Sequence, residues 1–331
     1  MFRKVSIVFL VLILLIATFS LNEFYSILSS ISTFKSYVVP ERKLSEEVVE
    51  QYLSGSLKQK EEAKELIISA TLENLNYYRW SEYQNYIDLQ LYIADVLPEK
   101  GKELITVLNL SKDQAVVTIY RLIAEEYVFT HKIENLLPID KIEFIYISDL
   151  NYNSMNLFQI LDERLGAFTL EKFIESYAYI EQNWRAVWKK TIYSEEIFNQ
   201  QWIEPQASSE QWVKIIESST IQFIEQKLPE ISVSTTRTKL TAHKQNFPGP
   251  EDFKVIHTIR TQEKYYWNTE YLRYILKEGT LNESDTAIAV LADIENRIES
   301  LLGFQSKAYK VSYPDGTTFI IEKDKVNPIK Q

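Results

Sequence analysis

Cysteine is absent from all 331 residues, which excludes disulfides, thiolate metal sites, cysteine nucleophiles and a lipid-bearing N-terminal cysteine. An oxidising compartment permits disulfides without demanding them. A large exported chain with none fits a bacterial or archaeal surface better than a eukaryotic secretory route. Glycine is scarce, at seven residues. Phosphate-cradling loops, nucleophile elbows and tight-turn-rich β folds all lean on glycine, so its scarcity favours helices joined by polar turns. Only three histidines occur, His131, His243 and His257. None stands at a His-x-x-x-His or His-Glu-x-x-His spacing, so no metal ligand is predicted. His243 and His257 would sit on neighbouring strands, where a half-buried strand histidine is the simpler reading. Basic excess is missing too: the net charge is −10. That argues against nucleic acid as a partner and against lying flat on anionic lipid.

What the chain does have is one long apolar run. After Met1-Phe-Arg-Lys4, residues Val5 to Leu21 carry no charge and only Ser6, Thr18 and Ser20 as polar side chains. Seventeen residues in a helix span about 26 Å, just under a bilayer's hydrocarbon thickness, and Phe24 and Tyr25 follow as interfacial aromatics. Arg3 and Lys4 place the N-terminus in the cytoplasm and the bulk of the chain outside. The run is longer than the core of a cleaved signal peptide and lacks an Ala-x-Ala site, so it is read as an uncleaved single-pass anchor.

Beyond the anchor, 1–22, the pattern divides into a helical stalk, 23–39, a mainly helical domain, 40–230, and a small α+β domain, 231–331. The stalk rests on the seam Phe24, Ile27, Ile31, Phe34 and Val38 and stops at Pro40. Ser45 caps a helix that Gly55 closes, and Lys58 to Tyr78 is a long charged helix. Pro98 to Gly101 is a turn. Ser111 to Glu126 has strand-like content in Ala115 to Tyr120, but Gln114, Thr118, Arg121 and Glu125 recur at helical spacing and predict a helix. Lys141 to Ser148 reads as a strand. Met155–Arg164, Thr169–Tyr193, Ser194–Trp202 and Ser209–Leu228 read as helices with serine or threonine caps and proline stops. After Pro229 the β-branched run Ile231–Thr241, a Phe-Pro-Gly-Pro loop and the alternation Phe253 to Arg260 predict two strands. Helices over 268–277 and 283–302 follow, then a hairpin from Lys307 to Lys323 about Pro314-Asp-Gly316. The expected class is therefore α+β, mainly helical, with an antiparallel sheet near the C-terminus.

No motif specifies a reaction, and no catalytic residue, metal or cofactor is assigned. Ser32-Thr-Phe-Lys35 matches the Ser-x-x-Lys of penicillin-recognising enzymes, but neither Ser-Asp-Asn nor Lys-Thr-Gly follows. The acidic neighbours Glu125–Glu126, Asp162–Glu163 and Glu195–Glu196 are read as solvated acids rather than glycosidase carboxylates. Aromatic groups are the strongest binding signal, with Tyr77, Trp80, Tyr83, Trp184, Trp188 and Trp267 as candidates. Trp184 and Trp188, at i and i+4, also fit a core stripe. Tyr77 to Ile87 and Tyr265 to Ile275 share six of eleven positions without gaps, read as chance in a tyrosine-rich chain. The expected function is a non-enzymatic, membrane-anchored extracytoplasmic component that binds another envelope or surface protein. The alternative is a hydrolase of cell-wall or surface glycan.

Overall fold

A computed structural model describes residues 42–164, 168–224, 226–294 and 307–328. The anchor, the stalk and the Ser32–Lys35 tetrapeptide lie outside those residues. Among the described residues no helix is long and apolar enough to cross a membrane.

The expectation of a mainly helical body is overturned: the described residues form three antiparallel sheets, and their α-helices are α1 (Glu46–Ser54) and α2 (Leu57–Leu75). Both helices match the sequence signals. The Ser45 hydroxyl accepts a hydrogen bond from the Val48 amide, and α1 stops at Gly55. Asn76 in left-handed conformation ends α2.

The first sheet contains β1 (Leu44–Ser45), β2 (Asp88–Ala94), β3 (Glu103–Ser111), β4 (Gln114–Ile123) and β5 (Glu126–Leu136), in the order β1-β5-β4-β3-β2. It is covered on both faces. Leu104, Leu108, Val116 and Tyr120 pack against Val49, Ile67, Leu72 and Leu75 of the helices. The alternate residues Ile105, Val107, Val117 and Ile119 pack against Ile142, Met155 and Leu157 of the next sheet. Burial on both faces erases the polar alternation that marks a half-buried strand. This is why Ser111 to Glu126 resembles a helix and is not one.

The second sheet is a meander of β6 (Ile139–Ile147), β7 (Tyr152–Asp162), β8 (Thr169–Ile180), β9 (Asn183–Asn199), β10 (Gln211–Ile224), β11 (Glu230–His243), β12 (Lys254–Asn268) and β13 (Arg273–Ile275). The four segments expected as helices between Met155 and Leu228 are β7 to β10. The helix expected over 268–277 is instead a turn and β13. The third sheet, β17-β16-β15-β14-β18, contains β14 (Lys277–Leu281), β15 (Ala287–Asp293), β16 (Ala308–Ser312), β17 (Thr318–Glu322) and β18 (Val326–Pro328). Its β16–β17 hairpin lies where the Pro-Asp-Gly turn placed it. β15 occupies part of the helix expected over 283–302.

Glycine scarcity misled because two tight hairpins turn without it. Ala124 (φ 49°) and Glu125 (φ 67°) join β4 to β5, and Glu181 (φ 50°) and Gln182 (φ 64°) join β8 to β9. Both central residues of each turn sit in the left-handed region that Asn-Gly normally fills.

β9 is where the second sheet doubles back. It pairs with β8 from Asn183 to Glu196 but with β10 only from Tyr193 to Asn199. Two irregularities in the β8–β9 register leave Val187 and Ile192 without a partner residue on β8. Such bulges bend a strand and increase its twist. Beyond the bend Trp188 meets Phe223 of β10 edge-on, with ring centroids 6.0 Å apart, and Tyr265 of β12 at 5.7 Å. The core between the two layers holds Ile174, Ala178 and Val187 on one side and Ile231, Val233 and Trp267 on the other.

Candidate functional site

The fold-over leaves a cleft of about 600 Å³ lined by residues of β8 and β9, of the strands β10 to β13 and of the third sheet. Ala186 to Thr191 of β9 line it without interruption, and Leu291 to Asp293, Lys310 and Thr318 of the third sheet also line it. Trp188, Tyr265 and Tyr274 supply its aromatic surface.

The cleft is rich in charge because the register of long strands stacks polar residues into rungs. Glu217 of β10 stands opposite Arg237 of β11, and Arg237 Nε donates to Glu217 Oε2 at 2.6 Å, with both side chains under one-tenth exposed. One rung further, Ser219 and Thr235 share a hydrogen bond of 2.9 Å, and both are buried. Lys190 of β9 pairs with Glu263 of β12 across the fold-over. These polar rungs lie between the apolar cluster of Trp188, Tyr265 and Trp267 and a second one of Phe198, Val213 and Ile215. Buried charges persist only when paired, and these are.

Every carboxylate lining the cleft is engaged. Glu171 accepts from Thr191 Oγ1 at 2.9 Å and Glu175 from Gln159 Nε2 at 3.2 Å. Glu195 pairs with Lys214 at 2.7 Å and accepts from the Tyr193 hydroxyl at 2.7 Å. Burial and that bond to Glu195 push the Tyr193 hydroxyl up to about 12. Asp293 pairs with Lys323 at 2.8 Å, and Glu196 also has a partner.

Three cations of the cleft differ. Among the described residues, Arg273, Lys310 and Lys189 have no carboxylate within ion-pair distance. Arg273 donates to Ser312 Oγ at 3.2 Å. Burial lowers its pKa, and Arg185 adds like-charge repulsion. Lys189 lies over the Phe173 ring, 3.9 Å from the centroid. Trp188 Nε1 and the Tyr274 hydroxyl are buried and have no hydrogen-bond partner among the described residues. Burial raises the Tyr274 pKa, so that hydroxyl stays a donor.

Of the six aromatic candidates, Trp188 lines the cleft. Trp267 is fully buried, its Nε1 donating to Asp149 at 3.1 Å. Trp184 packs with Tyr179 in the core facing the first sheet, so Trp184 and Trp188 serve different cores rather than one helical stripe. Tyr77 packs beside the helices, its hydroxyl donating to Glu134 at 2.5 Å. Trp80 and Tyr83 form an edge-on pair at 6.2 Å on the 3-10 segment Tyr78–Tyr86, separate from the cleft lining. His243 stands opposite Gln211 and His257 opposite Lys239, so the two do not face each other, and both are exposed. Among the described residues no group of His, Asp and Glu is placed to hold a metal ion.

Sequence reasoning named Glu195 and Glu196 but missed Glu217, Arg237, Glu263 and Arg273. Their partners lie on other strands, Lys190 and Glu263 being 73 positions apart, and nothing local marks such a pair. Protein-family models, characterised proteins and solved structures offer no match to this chain.

Proposed function

We propose that this chain is a non-enzymatic binding component of the cell envelope, held at the membrane by its N-terminal segment with its folded body outside. Its partner, another envelope or surface protein, docks at the cleft along β9. One observation carries the reading: the acids of the cleft are tied into ion pairs and hydrogen bonds, while Arg273, Lys310 and Lys189 meet no carboxylate among the described residues. A glycosidase needs one carboxyl positioned to donate a proton and a second placed to attack or to activate water. A photo-crosslinking residue at position 186 of the full chain, an exposed alanine on the same edge of β9, in intact cells of the source, is expected to trap one discrete adduct. The same residue at exposed Lys58 on α2 should not. Equal labelling from both sites, or none, overturns the cleft as the docking place. Protease added outside intact cells should remove a C-terminal tag, and a protected tag would overturn the topology.

The hydrolase reading keeps one favourable observation, carboxylates sharing a cleft with Trp188 and Tyr265. It requires release of reducing ends from cell-wall glycan by the purified chain, abolished in Glu171→Gln or Glu196→Gln.

A further inference from the structure

We propose that the ligand of the cleft is an extended, acidic peptide segment that adds as a strand to the outer edge of β9. This rests on the binding reading above and names its chemistry. Two independent observations converge on it.

The first is backbone. Between Asn183 and Ile192 the described strands pair with β9 on the β8 side only, because β10 joins at Tyr193. An outer strand edge carries unpaired N–H and C=O groups and templates another strand. Most of this edge, Ala186 to Thr191, lies in the cleft. Six residues of strand reach about 20 Å, the length of a five- or six-residue extended peptide.

The second is charge. On a chain of net charge −10, the cleft cations without a carboxylate partner among the described residues are Lys189 on β9, Arg273 on β13 and Lys310 on β16. Arg273 is costly as it stands: partly desolvated, faced by Arg185, and bonded to a neutral hydroxyl. A carboxylate arriving there forms a charge-assisted and potentially bidentate pair, the strong kind of hydrogen bond. Side chains of an added strand alternate between faces, so acids two residues apart would address the same wall of the cleft.

The test is fluorescence anisotropy with fluorescein-labelled acetyl-Glu-Thr-Glu-Thr-Glu amide and the full chain in nanodiscs. It should bind roughly tenfold or more tighter than the Lys-Thr-Lys-Thr-Lys analogue, a preference that added salt weakens. Arg273→Gln with Lys310→Gln should abolish that preference, glutamine keeping a donor for Ser312. Should that variant fail to fold, Lys189→Gln with Lys310→Gln, both exposed, is expected to weaken binding in the same direction. Methylating the peptide's backbone nitrogens should abolish binding, because strand addition needs them. Equal binding of both peptides, indifference to N-methylation, or full displacement by free glutamate or inorganic phosphate each overturns the proposal. A position-186 adduct that persists without acidic-peptide affinity refutes this inference and leaves the binding reading standing. Loss of both refutes the two together.

Discussion

The first and second sheets bury similar strands in different ways. β3 and β4 are clamped between helices on one face and β6–β7 on the other, and their interior is almost wholly aliphatic. Thr106 and Thr118, which hydrogen-bond each other at 2.5 Å, and Glu103, which accepts from the Val96 amide at 3.0 Å, are exceptions. The second sheet folds over itself and encloses polar rungs, with the Glu217–Arg237 pair and the Lys190–Glu263 tie. A sheet covered on both faces has no room for a ligand. A sheet that bends against itself leaves a seam, here lined by charged side chains. The proposed binding accordingly falls to the second sheet, with the first as its scaffold.

The sharpest way to break this comparison is to leave one buried charge unmatched. Arg237→Met should destabilise the fold by about 3–5 kcal/mol in urea denaturation, because Glu217 is then buried alone. Adding Glu217→Met should recover most of the loss. No recovery would show that these rungs are more than a paired charge. In the first sheet the equivalent injury is a cavity: Leu108→Ala should cost about 2–5 kcal/mol by the same measurement, with peptide affinity in the cleft unchanged. A coupled loss of affinity would deny the division between scaffold and site.

Two smaller effects sharpen the contrast. Replacing Ala124→Asn together with Glu125→Gly should raise the stability of the β4–β5 hairpin by roughly 1 kcal/mol, because these residues take the left-handed region at little penalty. An unchanged urea midpoint would show that the turn carries no strain. The smallest effect lies where the two sheets touch. His131 on β5 shares a 2.8 Å hydrogen bond with the Tyr179 hydroxyl on β8. Burial lowers its pKa from the ordinary 6.5. A depressed histidine contributes stability above its unfolded value, lost as pH falls through its folded value. Thermal midpoints should therefore drop below about pH 6.5, and His131→Gln should flatten that slope.

Legibility followed locality. The Ser45 cap, the stop at Gly55, the strand over Lys141–Ser148 and the Pro314-Asp-Gly316 hairpin are each signalled by adjacent residues, and each is found. The strands β7 to β10 were unreadable for two linked reasons. Their apolar residues face two cores, as Tyr177 and Tyr179 do against Ile174 and Ala178, so alternation disappears. Their tightest turn, Glu181–Gln182, carries none of the usual turn residues. The shared pattern of Tyr77–Ile87 and Tyr265–Ile275 makes the same point: one copy forms a 3-10 segment, the other a strand end, a turn and β13. At the site, Trp188 was legible as a large amphipathic ring, whereas the ion pairs join residues far apart in the chain.

Composition alone decided which chemistries this chain lacks residues for, thiol chemistry first, and local caps decided α1 and α2. Only tertiary structure decided that β4 and β7 to β10 are strands, that the sheet turns back at β9, and that Arg273, Lys189 and Lys310 line one cleft. The physical reason is range. A cap or a proline acts on its own neighbours, while a strand is stabilised by partners that the chain brings alongside only when it folds.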